Sequence, residues 1–137
     1  MKNYGSILLV EDDIVDAMTV ERALNDINVT NPLFMVGNGE EALEFLNDSK
    51  NEVPGIILLD LNMPKMNGIE FLRVMKSDDS IKRIPVIVLT TSREDQDKIE
   101  SFNLGVAGYM IKPVDYLQFV ETMRTIDYYW TLSELPG

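Results

Sequence analysis

The run Ile56-Ile57-Leu58-Leu59 is unbroken and apolar, and it stops on a carboxylate, Asp60. Other apolar runs stop on polar groups too. Ser6 to Val10 is followed by Glu11-Asp12-Asp13, Pro85 to Leu89 by Thr90-Thr91-Ser92, and Val106 to Ile111 by Lys112-Pro113. If these ends share one edge of a sheet, two or three carboxylates, a hydroxyl and an ammonium converge on a small volume. Carboxylates that close repel one another and raise each other's pKa unless a cation joins them. Lys112 offsets one charge, and a divalent ion offsets two more. The donors are all hard oxygens, and a largely hydrated ion held by one or two carboxylates fits Mg²⁺. A carboxylate fixed beside such an ion is placed to attack a phosphoryl group, since carboxylates form phospho-enzyme intermediates. The oxygens of the transferred group would be held by Mg²⁺, the Thr90 hydroxyl and Lys112, which is mainly charge stabilisation. Taken singly, each residue has an ordinary reading: a solvated loop with a helix cap, a turn aspartate, a β-branched filler, a surface lysine. The ordered combination carries the inference.

The elements that must position these groups follow from periodicity. Helical spacing of apolar residues runs from Asp13 to Ile27 through Ala17, Val20, Leu24 and Ile27, with Asp13 as cap. Further helices are expected from Gly39 to Asn47, from Asn67 to Ser77 facing inward through Phe71, Leu72 and Met75, and from Ser92 to Asn103, opened by Ser92. A last one, capped by Asp115, carries the stripe Phe119, Met123, Ile126 and Trp130. Strands are expected at Ser6–Val10, Pro32–Val36, Gly55–Asp60, Pro85–Thr90 and Val106–Ile111. Alternating strands and helices with short connections imply an α/β fold, a parallel sheet covered on both faces. This accounts for strands that are continuously apolar. In such sheets the polar site lies beyond the carboxyl ends of the strands, near the switch point in strand order.

Composition narrows the chemistry. The chain has 137 residues, which suits one domain, and neither cysteine nor histidine. Disulfides, thiolate metal sites, a histidine base and zinc fingers are therefore excluded. The formal charge of −11 and the lack of a basic stripe argue against direct DNA binding. No apolar run reaches the ~18 residues of a membrane span, so a cytoplasmic protein is expected.

The set LLVEDD, LLDLNMPKMNG, PVIVLTTS and GYMIKP, in this order, resembles the receiver domains of bacterial two-component response regulators, the CheY-like family. The likeness covers roughly residues 6–128. It implies a doubly wound sheet in the order 2-1-3-4-5 with five helices. It implies Asp60 as phosphoacceptor and a sensor histidine kinase or phosphotransfer protein as donor. It places direct metal ligation on Asp12, a water-mediated contribution on Glu11, and a further ligand on the Asn62 main-chain carbonyl. The switch hydroxyl falls on Thr90, the switch aromatic on Tyr109, and the phosphate-binding lysine on Lys112. The bond before Pro113 is commonly cis in the family. Here the acidic pair is Glu-Asp instead of Asp-Asp, Thr91 replaces a smaller alanine, and the segment between Asp12 and Asp60 is longer than in CheY.

Three other readings compete. An aspartyl-nucleophile phosphohydrolase of the haloacid dehalogenase type needs a general acid two residues after the nucleophile, where this chain has the amide Asn62, and it needs a cap domain. A calcium loop beginning at Asp60 requires glycine at the sixth position, which is Lys65. A pseudo-receiver, an interaction module that is never phosphorylated, is separable by metal binding and phosphate incorporation. The end of the chain, YYWTLSELPG, is read as a C-terminal extension over residues 128–137 of a single receiver domain spanning 1–137. It resembles a subfamily paired with phytochrome-type kinases. Tyr128, Tyr129, Trp130, Leu132 and Leu135 are more large groups than one helix face buries, which suggests a homodimer or kinase-docking surface. With no output domain following, the readout would be a partner protein or self-association.

Overall fold

A computed structural model describes residues 5–132. Strands and helices alternate: β1 (Ile7–Val10), α1 (Ile14–Asp26), β2 (Leu33–Val36), α2 (Gly39–Asn47), β3 (Ile56–Leu59), α3 (Gly68–Lys76), β4 (Val86–Thr90), α4 (Asp95–Asn103), β5 (Gly108–Ile111) and α5 (Tyr116–Leu132). The five strands form one parallel sheet in the order β2-β1-β3-β4-β5. This is the doubly wound order that the resemblance implied.

Successive residues of a strand point to opposite faces, and the continuous apolar runs use both. Ile7, Leu9, Ile56, Leu58, Ile87 and Leu89 pack with α1 and α5; Leu8, Val10, Ile57, Leu59, Val86 and Val88 pack with α2 and α3. The α5 stripe is in the first core as expected, and Trp130 is fully buried there. Edge strand β2 is less covered and leaves Phe34 and Met35 exposed.

Helix starts are set by side-chain caps. Asp13 accepts from the amides of Val15 (2.9 Å) and Asp16 (3.2 Å). Asn67 and Glu70 form a reciprocal capping box that opens α3. Gly68 is required at that junction: a Cβ there would lie 2.7 Å from the Asp60 carbonyl oxygen and 2.8 Å from Leu61 Cα. The helix can thus close directly beneath the strand end that carries Asp60.

Two expectations need correction. The helix expected from Ser92 begins at Asp95, and its N-cap Glu94 makes no side-chain cap bond. Ser92 stands just outside the helix: its hydroxyl donates to Asp97 Oδ2 in the first turn at 2.7 Å and accepts from the Glu94 amide at 3.4 Å, while its carbonyl accepts from Tyr109. The bond before Pro113, cis by family habit, is trans, there being no cis peptide among the described residues. Residues 128–132 are the last turn of α5. Trp130 is withdrawn into the core, while Tyr128, Tyr129 and Leu132 remain exposed; Leu135 lies outside the described residues.

Candidate functional site

Strand register decides which side chains meet. Val10 pairs with Leu59, so Glu11 and Asp60, each one residue further, stand side by side beyond the sheet. Their backbones extend the ladder: the Glu11 amide donates to the Val36 carbonyl (2.9 Å) and the Asp60 amide to the Val10 carbonyl (3.0 Å). On the other side Thr90 pairs with Ile111, and the Lys112 amide donates to the Thr90 carbonyl at 2.8 Å. Each group is therefore held by main-chain bonds to its neighbouring strand and does not depend on a loop for its position.

Asp60 is buried and occupies the centre. Its Oδ1 accepts from the Thr90 hydroxyl at 2.7 Å and from the Asn62 amide at 3.4 Å. Its Oδ2 stands 3.8 Å from Lys112 Nζ. Carboxylate oxygens of Glu11, Asp12 and Asp60 lie within 4.8 Å of one another, close enough to share a cation. Glu11 is buried and Asp12 exposed, so the two members of the pair are not equivalent. Asp13 turns its carboxylate to the amides that open α1 and lies outside this cluster.

The electrostatics follow from that burial. Burial is the main cause that lifts Glu11 from the usual carboxylate range to about 7; the Lys112 bond and charge pull it back, and the Asp60 charge adds to the rise. Burial by itself would lower the Lys112 pKa. Its bond to Glu11 and the fields of Asp60, Glu11 and Asp16 outweigh burial and raise it, so Lys112 remains an ammonium. A buried carboxylate pushed up in this way beside a second carboxylate marks a cluster short of positive charge. An all-oxygen donor set of this size suits a hard divalent cation.

Lys112 Nζ bonds Glu11 Oε1 and also Asp16 Oδ2, the latter at 3.1 Å. Asp16 lies in the first turn of α1. The available signal was its position just before Ala17 at the margin of the buried stripe, which turns it toward the sheet edge. Tyr109, expected as a switch aromatic, is half-buried and donates its hydroxyl to the Ser92 carbonyl at 3.0 Å. Burial, helped by Asp97, Asp60 and Glu94, raises its pKa. Ser92 also sends its amide toward Thr90 Oγ1 (3.3 Å), so one loop residue touches both Thr90 and Tyr109. Asn62 itself is exposed.

The chain is similar to known proteins over most of its length. Response regulator Rcp1 of Synechocystis is 36% identical over 128 residues, covering 90% of this chain and 87% of that protein. The crystal structure of the phosphorylated cyanobacterial phytochrome response regulator RcpA superposes with a TM-score of 0.90 at 36% identity, over 97% of this chain and 99% of that one. A Mn²⁺-bound form of Rcp1 gives a TM-score of 0.89 at 35% identity, over 97% and 99%. The likeness to phytochrome-associated regulators suggested by the end of the chain therefore extends along nearly its whole length. A family model, the response regulator receiver domain, matches residues 7–124. On a match that runs from the first strand into the last helix, the chain belongs to the response regulator receiver family and is a CheY-like phosphoacceptor of two-component signalling, a signalling protein and not an enzyme of metabolism.

Proposed function

We propose that Asp60 is the residue that takes the phosphoryl group, from a sensor histidine kinase or a phosphotransfer protein, with Mg²⁺ as the cation. The observation that carries this is the asymmetric setting of the Asp60 carboxylate. One oxygen is held by Thr90 at 2.7 Å, while the other faces Lys112 without bonding it, at 3.8 Å. That second oxygen keeps a lone pair for attack on phosphorus. The new O–P bond forms as the P–N bond of the phosphohistidine breaks, and the imidazole leaves with the electron pair. Lys112 and Thr90 are placed to hold oxygens of the transferred group. Glu11, Asp12, Asp60 and the Asn62 carbonyl are the ligands we assign to Mg²⁺. When bound, the ion supplies positive charge to the carboxylates and to the phosphoryl oxygens.

The same reading makes Thr90 and Tyr109 the switch. A dianion on Asp60 would draw the Thr90 hydroxyl, which is already in bonding range of both Asp60 and the Ser92 amide. Tyr109, tied to Ser92, would shift with that loop and change the surface built by α4, β5 and α5. Exposed apolar groups lie near the site, Ile14, Val15 and Met18 on α1 and Val114 two residues after Lys112, and they suit docking of a phosphodonor protein. The exposed Tyr128, Tyr129 and Leu132 of α5 support a two-fold dimer or a second docking surface, within a single receiver domain over 1–137 whose extension is 128–137.

Acetyl phosphate with Mg²⁺ should label the protein in a hydroxylamine-labile way, and Asp60→Asn should abolish the label while circular dichroism is unchanged. Undiminished labelling of that variant overturns the assignment, and absence of label in the native chain would favour the pseudo-receiver. Sedimentation of the native chain against a Tyr128→Ser, Tyr129→Ser, Leu132→Ser variant, which leaves the buried Trp130 in place, with and without a phosphoryl mimic, tests the dimer: monomers throughout would leave α5 to partner docking.

A further inference from the structure

Lys112 has more anchors than a phosphate-binding lysine requires. Its ammonium carries three donor protons. Glu11 takes one and Asp16, at 3.1 Å, takes another, with Asp60 the remaining carboxylate nearby at 3.8 Å. The two anchors differ in kind. Glu11 is one of the three carboxylates that can share a cation, so its charge is divided; Asp16 is outside that cluster. Asp16 is also rigidly supported, since its amide is held at 3.2 Å by the Asp13 cap at the start of α1.

The surroundings show what the second anchor is for. A cavity of about 450 Å³ borders the lysine, with Asp16, Thr19, Arg22 and Thr91 among its walls. A four-carbon side chain released from α1 has space there to swing out of the site. The Lys112 side chain is enclosed, with 8% exposure, whereas that of Asp16 is 44% exposed. Changing Asp16 therefore leaves no buried orphan group, and the fold should tolerate it.

We infer that Asp16 is a positioning residue: from the first turn of α1 it anchors the Lys112 ammonium beside Asp60, so that the lysine is in place for a phosphoryl group when a cation draws on the charge of Glu11. This rests on the reading of Asp60 as acceptor. The physical basis is preorganisation: a positive charge already aimed at the developing phosphoryl oxygens needs no rearrangement during transfer.

The test uses the full chain and the isosteric Asp16→Asn. In the unphosphorylated, metal-free protein, the Lys112 ammonium signal in nitrogen-15 NMR should lose its protection from proton exchange. With acetyl phosphate and Mg²⁺, the maximal labelling rate should fall roughly tenfold, as for a misplaced catalytic group. The half-saturating donor concentration should not rise, because a negative charge has been removed near an anionic donor. Asp16→Glu should restore part of the rate. An unchanged maximal rate overturns the inference, and so does a faster one, which would make Asp16 a competitor for the lysine. The NMR arm, repeated in Asp60→Asn, does not depend on phosphorylation. Persistent labelling of Asp60→Asn would instead show that the acceptor reading had failed.

Discussion

Along β3, Ile56, Ile57, Leu58 and Leu59 are buried, and so is the next residue, Asp60. The first four are satisfied by packing between two layers of helices. Asp60 is satisfied by a hydroxyl and an amide, with a distant ammonium. One region gains free energy by excluding water; the region one residue away costs free energy because it holds several carboxylates near one lysine. The sheet stabilises and the edge functions, and the free energy gained in the first offsets what the second costs. Substitutions in the two regions should therefore have opposite signs.

The largest effect is expected in the packed region. Trp130→Ala removes a fully buried side chain near the end of α5. It should destabilise the protein by ~3–5 kcal/mol in urea or guanidinium unfolding. A loss under about 1 kcal/mol, typical of an exposed site, would show that α5 is not docked through this residue.

At the edge the sign is set by Glu11, whose pKa is raised to about 7. The folded state then binds a proton that the unfolded state releases near its ordinary value. Stability from this group is present at low pH and is lost as pH rises from about 4.5 to about 7. Each tenfold difference in proton affinity between the folded and unfolded states is worth ~1.4 kcal/mol. The measurable quantity is the change in stability on going from about pH 4.5 to about pH 7.5, native minus Glu11→Gln. It should be negative in the metal-free protein and shrink with saturating Mg²⁺. A difference of zero would mean that Lys112 fully compensates the buried carboxylate.

The smallest effect separates the acidic pair. Asp12 is exposed, so removing its charge leaves no cavity and relieves repulsion. Asp12→Ala should raise metal-free stability by up to about 1 kcal/mol, while weakening Mg²⁺ binding more than Glu11→Ala does. Calorimetric titration and thermal unfolding on the same samples check both. Unchanged Mg²⁺ affinity in Asp12→Ala would shift the direct ligand to Glu11.

Much of this was legible in the chain. The strand runs, the cap Asp13, the α5 stripe and the polar groups after each strand all follow from periods of two and 3.6 residues, which are local properties. The start of α4 was misplaced because Ser92 bonds the first turn through Asp97 and Glu94 from outside the helix, its carbonyl held by Tyr109, and the helix itself opens only at Asp95. The trans bond before Pro113 departs from family habit in a way that no residue nearby announces.

The order of elements, the absence of thiol and imidazole chemistry, and the arrival of Asp60, Thr90 and Lys112 at strand ends can all be read from the chain, because each continuous apolar run marks a strand buried on both faces and the polar residue that ends it marks the edge of the sheet. The tertiary structure alone decided that Lys112 is shared between Glu11 and Asp16, that Glu11 is buried and Asp12 is not, and that Ser92 links Thr90 to Tyr109. These contacts join residues as much as 101 positions apart. Their geometry is fixed by strand register and by the rotation of α1 against the sheet, which no local period encodes.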